Sequence, residues 1–244
     1  MYDVPRENEA LWTALGNGLR EAGWNVPVRL DEPDSALPAH WRCPDLVFSQ
    51  TCGGPLVSSL ETAVLVVARP VYDVPHCGEG TYRSVLVARR GAALSLKDAR
   101  GGRLAANEPH SLSGHLTLRD YLPSGSGWLD GPLWTGSHAA SAAAVARGEA
   151  DLAAIDAVTW HLLTVRDPGM CARLDIIGVT PERPSLPYIT AAANRERLPL
   201  LRRELTRAVE TVRHGFGFPI SRLRTVLPAT NEEYEAALRH LVRP

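Results

Sequence analysis

The sequence predicts an α/β protein built on mostly parallel sheets. Three observations carry this. Short apolar runs alternate with helical periodicities along the whole chain, the order expected of βαβ units. Two of the runs, Ala63–Ala68 and Ser84–Ala88, are continuous and β-branched, as strands covered on both faces are. One local pattern, in which a strand ends, a Gly/Ser/Thr turn follows and a helix opens, recurs three times. The 244 residues suffice for one large domain or two lobes of about 120 each.

In order, Glu7–Ala22 reads as an amphipathic helix, with Leu11, Leu15 and Leu19 at helical spacing and Gly23 as its stop. Asn25–Leu30 and Asp45–Ser49 have strand length and apolarity, and Val57–Leu60 reads as a short helix. After the two continuous runs comes one helical turn at Leu96–Arg100, then a strand at Arg103–Ala106. Ser111–Tyr121 reads as a helix stopped by Pro123, and Leu133–Thr135 as a strand. The Ala-rich Ser137–Arg147 is a helix ended by Gly148. Ala150–Ile155 (strand), Asp156–Val165 (helix) and Leu174–Thr180 (strand) follow, then a Pro-rich stretch to Pro187. Arg195–His214 is a long amphipathic helix, and Thr230–Glu233 is a capping box before a last one.

A net charge of −1 excludes the basic excess that recruits nucleic acid or anionic membranes, but leaves room for a small anion held by local donors. No run of about 18 apolar residues predicts a transmembrane helix. The polar Met1–Arg6 shows no secretory signal. Cys43, Cys52, Cys77 and Cys171 have neither CxxC spacing nor zinc-like histidine neighbours, so no metal is expected. Two readings stay open for them: separate buried thiols, or a Cys52–Cys77 disulfide between Gly-rich segments, which implies an oxidising compartment.

The chemistry lies in the strand-end turns Ser49–Gly54, Asn107–Gly114 and Thr135–His138. Ligands of open α/β sheets bind beyond the carboxyl ends of the strands, and N–H groups at a helix start favour an anion. Ser111-Leu112-Ser113-Gly114 is the strongest of the three, because two hydroxyls and neighbouring N–H groups can converge on one oxyanion; plain N-capping is the competing reading. His138 can add a donor and a charge at mildly acidic pH. Tyr82 and Arg83 lie in a loop entering a buried strand, where Arg83 serves either an anion or a surface carboxylate. Asp156 competes with an anion for donors, holds a cationic ligand group, or caps the following helix. No GxSxG, Walker loop, HExxH or strand-borne GxGxxG is present, so no catalytic residue and no cofactor is expected.

Taken in order, Ser-Gln-Thr-Cys-Gly at 49–53, Thr-Tyr-Arg-Ser at 81–84, Ser-Leu-Ser-Gly at 111–114, Thr-Gly-Ser-His at 135–138 and Ala-Ile-Asp at 154–156 resemble the phosphate/phosphite/phosphonate substrate-binding proteins of ABC transporters. The resemblance spans roughly residues 1–190. It implies a two-lobed type II periplasmic-binding fold with an interlobe cleft: residues 1–86 plus 185–244 in one lobe, 87–184 in the other, and a two-strand hinge at Ser84–Arg89 and Asp175–Thr180. Ser111, Ser113 and the N–H groups of Leu112 and Gly114 would hold the oxyanion with His138. Gln50, Thr51, Tyr82 and Tyr2 would line the cleft. Relatives that bind aminoalkylphosphonates use carboxylates for the amine; Asp156 alone lies in the corresponding stretch, so a ligand without an amine is expected.

The resemblance further implies a permease partner; a monomer is expected, and the net charge of −1 predicts no nucleic-acid partner. The expected place is the periplasm or the membrane exterior if a signal peptide precedes the sequence, and the cytoplasm as it stands. Two alternatives share the fold: a cytoplasmic enzyme like those of menaquinone biosynthesis, and a cytoplasmic ligand sensor.

Overall fold

Helix α1 (Pro5–Glu21) starts on a proline, whose missing N–H costs nothing in a first turn, and buries Leu11, Trp12, Leu15 and Leu19. It ends where Gly23 takes φ +80°. The computed structural model describes residues 2, 4–31, 37–92, 94, 96, 102–123, 127–128, 130–216 and 220–242. After α1 come α2 (Leu37–Trp41), β1 (Ser49–Gln50), α3 (Gly53–Pro55) running into a π-helical turn at Leu56–Leu60, β2 (Val64–Tyr72), β3 (Thr81–Tyr82), β4 (Ser84–Arg89) and β5 (Leu104–Ala106). A 3-10 turn at Leu116–Asp120 leads to β6 (Leu133–Trp134), α4 (His138–Arg147), β7 (Leu152–Asp156), α5 (Ala157–Arg166), α6 (Pro168–Cys171) and β8 (Leu174–Val179). The remainder is β9 (Arg183–Pro184), β10 (Tyr188–Ala191), a 3-10 turn at Ala192–Arg197, α7 (Leu198–Phe216), β11 (Leu223–Pro228) and α8 (Asn231–Val242).

The chain divides into two units. The first comprises Met1–Asp73, Gly78–Gly80 and Pro184–Ala237; the second comprises Val74–Cys77, Thr81–Arg183 and Leu238–Pro244. The first change of unit thus falls at 73–81, ahead of the boundary near 86 that the resemblance implies, because β4 pairs on both sides with strands of the second unit. For the same reason β4 and β8, which contain most of the segments Ser84–Arg89 and Asp175–Thr180 expected to act as a hinge, lie side by side in one sheet.

The first unit carries a sheet in the order β1-β10-β2-β11, and every pairing in it is antiparallel. This corrects the expected parallel sheet. A continuous apolar run encodes burial on both faces; strand direction is decided by how the chain returns, and here β10 and β11 both run back along β2. Helices α1 and α7 pack on each other. Gly18 gives α7 its approach, since a Cβ there would stand 2.6 Å from Glu204 Oε2.

The second unit holds a five-stranded mixed sheet, β6-β5-β7-β4-β8, in which β6, β5 and β7 are parallel and β4 and β8 antiparallel to their neighbours. Strand β4 feeds two cores by the period-2 alternation of a strand. Val85 and Val87 join Ala142, Val145 and Ile155, whereas Leu86 joins Leu104, Leu118, Trp128 and Leu152. Each fully buried Val, Leu or Ile among them contributes about 1.5–3 kcal/mol. Gly148 closes α4 in the left-handed conformation, φ +78°.

Other differences have local causes. Residues 25–30 form no strand: Pro27 offers no N–H, its carbonyl accepts from Arg20 Nη1 at 2.8 Å, and Val28 is exposed. Ser111–Tyr121 is not one helix, because the Ser111 carbonyl accepts from both His115 and Leu116 and His115 leaves helical backbone at φ −140°. Residues 97–100 of the expected turn at Leu96–Arg100 lie outside the described residues. All four cysteines are thiols, so the Cys52–Cys77 bridge is not formed. Cys52 lies at the start of α3 in the first unit, and the backbone of Cys77 pairs with that of Tyr82 in an isolated antiparallel β-bridge of the second.

Candidate functional site

Strand β5 delivers the chain at Ala106 into the turn Asn107–Gly114, within the second unit. Ser111 organises it. Its N–H donates to Glu108 O, and its Oγ accepts the Gly114 N–H at 3.1 Å. A hydroxyl that accepts one bond still has its own hydrogen to give. The neighbouring Ser113 is fixed from below, because Ser84 Oγ donates to Ser113 O at 2.9 Å, and the Ser84 N–H donates to Thr180 Oγ1 at 2.9 Å. Leu112 is buried between the two serines.

The second turn leaves β6 and positions His138. Thr135 and Gly136 donate their N–H groups to Ala106 O and Asn107 O, which ties this turn to the first. Gly136 supplies φ +81°. Ser137 caps α4 by accepting from Ala140 N at 3.1 Å, and Thr135 Oγ1 meets Ser141 Oγ at 2.6 Å. His138 is therefore the first residue of α4. Its Nδ1 lies 3.1 Å from Ala154 O and its Nε2 lies 2.7 Å from Ser113 Oγ. A carbonyl only accepts, so Nδ1 carries a hydrogen. Burial pushes the His138 pKa down, against the raising effects of Asp156 and of the Ala154 carbonyl. The neutral ring then has a bare Nε2, and Ser113 donates to it.

Strand β7 supplies the third component. Asp156 is 2% exposed and accepts the Thr159 N–H at 2.9 Å, so it caps α5. Its other oxygen lies 3.5 Å from His138 Nε2. Its charge reaches Cys77 as well: burial first, then Asp156, push that thiol up to about 12.

The structure thus gathers Ser111, Ser113, Gly114, His138 and Asp156 in one unit. Tyr82, also of the second unit, is buried on β3. Arg83 takes the surface-carboxylate role, 3.4 Å from Glu182 and 3.2 Å from Thr180 O. Tyr2, Gln50 and Thr51 belong to the first unit. Tyr2 stacks edge-on against Tyr72 at 5.5 Å. Gln50 Nε2 donates to Leu186 O at 3.1 Å, and Thr51 is fully buried with its N–H on Pro187 O.

Sequence reasoning missed four supports: Ser84, Asn107, Ser141 and Thr180. Ser141 carries a local signal, being the one hydroxyl inside an alanine-rich helix. Asn107 packs against Gly114, and its Oδ1 is buried with no hydrogen-bond partner among the described residues. Among those residues no group of three His, Cys, Asp or Glu side chains could hold a metal ion.

Residues 45–213 match the family described as ABC transporter, phosphonate, periplasmic substrate-binding protein. Solved structures share the two-lobed α/β fold. PhnD1 from Prochlorococcus marinus in complex with methylphosphonate is 18% identical, with 84% of this chain and 80% of that one covered and a TM-score of 0.65. A Xanthomonas citri protein bound to chloride ion is 19% identical over 99% of this chain and 96% of that one, with a TM-score of 0.73. A binding protein component of an ABC phosphonate transporter from Pseudomonas aeruginosa is 15% identical over 99% and 82%, with a TM-score of 0.69. No curated protein matches the chain by sequence.

Proposed function

Because the chain belongs to the family of periplasmic substrate-binding proteins of phosphonate ABC transporters, we propose that it captures a small oxyanion of the phosphate and phosphonate class and passes it to a transporter permease. The observation that carries this reading is the hydroxyl turn Ser111–Gly114 with His138 bonded to it at 2.7 Å. The Ser111 hydroxyl keeps its own hydrogen to give to a tetrahedral anion, and the Ser113–His138 pair follows it in the same hydroxyl turn beside a strand end. The neighbour from Prochlorococcus marinus holds methylphosphonate, which supports the same ligand class. Leu112 and Tyr82, of the same unit as the turn, are proposed to shape specificity. The family's periplasmic setting is proposed for this chain, as is a monomeric state.

The Ser113–His138–Asp156 proximity invites an enzymatic reading, and the geometry speaks against it. In a nucleophilic triad the acid orients the imidazole through the nitrogen remote from the serine. Here Asp156 and Ser113 approach the same Nε2, and Nδ1 is held by Ala154 O. That arrangement suits binding rather than proton relay.

The test is thermal denaturation with methylphosphonate, phosphite, phosphate and sulfate. A ligand at a hundred times its Kd stabilises by about 2.7 kcal/mol. The expected result is a rise in Tm with at least one phosphorus oxyanion. No rise with any of the four overturns the reading.

A further inference from the structure

We infer that oxyanion capture at the Ser111–Gly114 turn is coupled to uptake of one proton by His138, which reverses the Ser113 hydroxyl so that it donates to the ligand. The inference rests on the proposed capture of an oxyanion and adds how that capture is controlled.

Hydrogen-bond polarity sets this coupling. Ala154 O fixes the hydrogen of the neutral ring on Nδ1. Ser113 Oγ, 2.7 Å from the bare Nε2, must direct its single hydrogen to that nitrogen. In this state Ser113 offers an approaching anion only lone pairs, which repel it. A proton on Nε2 inverts the arrangement. The imidazolium donates Nε2–H to Ser113 Oγ, and the hydroxyl hydrogen turns outward to the ligand. The proton comes from solvent and no covalent bond to the ligand forms or breaks.

The surroundings are set up for such a change. Asp156 Oδ2 lies 3.5 Å from Nε2, where it favours the imidazolium. Asp156, from β7, is the charged group that acts on the ring. The turn faces it with the uncharged Ser113 and Gly114. The other titratable groups on elements packed against α4 are Arg89 of β4, His161 and Arg166 of α5, and Cys171 of α6, and Arg147 closes α4 itself. The His138 side chain is 12% exposed, so the ring is largely screened from bulk water.

The experiment is nitrogen NMR of the His138 ring in the wild-type protein, with and without methylphosphonate. Without ligand, Nε2 is expected in the range of an unprotonated imidazole nitrogen; in the complex both nitrogens are expected in the protonated range. In parallel, methylphosphonate Kd is measured across pH for wild type and His138→Gln. The ligand's own titration is common to both, so their ratio isolates His138. Wild type is expected to lose about tenfold in relative affinity per pH unit above the ring's pKa in the ligand-free protein. Binding with Nε2 still unprotonated, or a ratio that is constant with pH, overturns the inference and leaves oxyanion capture standing. Failure of wild type to bind methylphosphonate, phosphite or phosphate at any pH overturns both.

Discussion

Gly114 lies so close to Asn107 that a side-chain carbon at position 114 would stand 2.9 Å from Asn107 Cγ, and it would meet His138 Cε1 at 3.2 Å. The turn Asn107–Gly114 is thereby packed to contact with the start of α4, beside the Ser113–His138 bond. Gly114→Ala is expected to displace Asn107 and pull His138 from Ser113. Overpacking of this kind costs about 1–3 kcal/mol. Urea denaturation measures that cost, and the oxyanion-induced Tm shift is expected to vanish with it. An alanine variant with wild-type stability and ligand response would show that the contact is not needed.

Ser111 and Ser113 differ in what they hold. Ser111 Oγ accepts the Gly114 N–H, so Ser111→Ala loosens the turn as well as removing a donor. Ser113→Ala removes a donor and leaves the backbone bond from Ser84 intact. A hydrogen bond to a charged partner contributes about 1.5–3 kcal/mol. Each single variant is therefore expected to weaken phosphonate binding roughly tenfold to a hundredfold. The double variant is expected to abolish the thermal response. Calorimetric titration decides it; unchanged affinity in the double variant would remove the turn from the site.

Ligand-free stability is expected to fall with pH through the histidine range. Burial lowers the folded-state pKa of His138, so the unfolded chain binds its proton first as pH falls. The stabilising contribution of the neutral ring is complete above the unfolded-state pKa and is lost as pH drops through it toward the folded value. Urea midpoints between pH 8 and pH 5 should therefore decline, and His138→Gln should flatten that part of the profile. A wild-type profile as flat as the variant's would contradict the burial argument.

Asp156→Asn keeps an acceptor for the Thr159 N–H and removes the charge beside His138. Its expected signature is near-wild-type stability with a further lowered His138 pKa, read by NMR. Asp156→Ala also removes the helix cap and is expected to cost about 0.5–2 kcal/mol in urea denaturation. An unmoved His138 pKa in Asp156→Asn would dissociate the two side chains.

The four cysteines are expected to titrate as four thiols once the chain is unfolded. In the folded protein the exposed Cys43 reacts first. Cys77, pushed up to about 12, stays thiol and unreactive near neutral pH. Fewer than four thiols in unreduced, denatured protein would restore a disulfide.

Much of this organisation is legible in residue order. Leu11, Leu15 and Leu19 mark α1, Ser137 and Gly148 bracket α4, and Thr230 caps α8 through the Glu233 N–H at 3.3 Å. Asp156 is a cap by position alone. These features are local: periodicity, caps and stops act within a few residues, so the chain displays them directly. The antiparallel β10 and β11 carry weaker marks, since each follows or contains proline and neither is a long apolar run.

By itself, then, the sequence determined the α/β alternation, the strand-end hydroxyl turns and the family to which they point. Only the tertiary structure decided which way the strands run and what each hydroxyl does. The Ser113–His138 bond joins residues 25 apart and the Ser84–Ser113 bond residues 29 apart. Neither is visible to a local pattern, because each depends on which strands neighbour one another in the sheet. The carbonyl of Ala154 settles the tautomer of His138, and with it the direction in which Ser113 gives its one hydrogen.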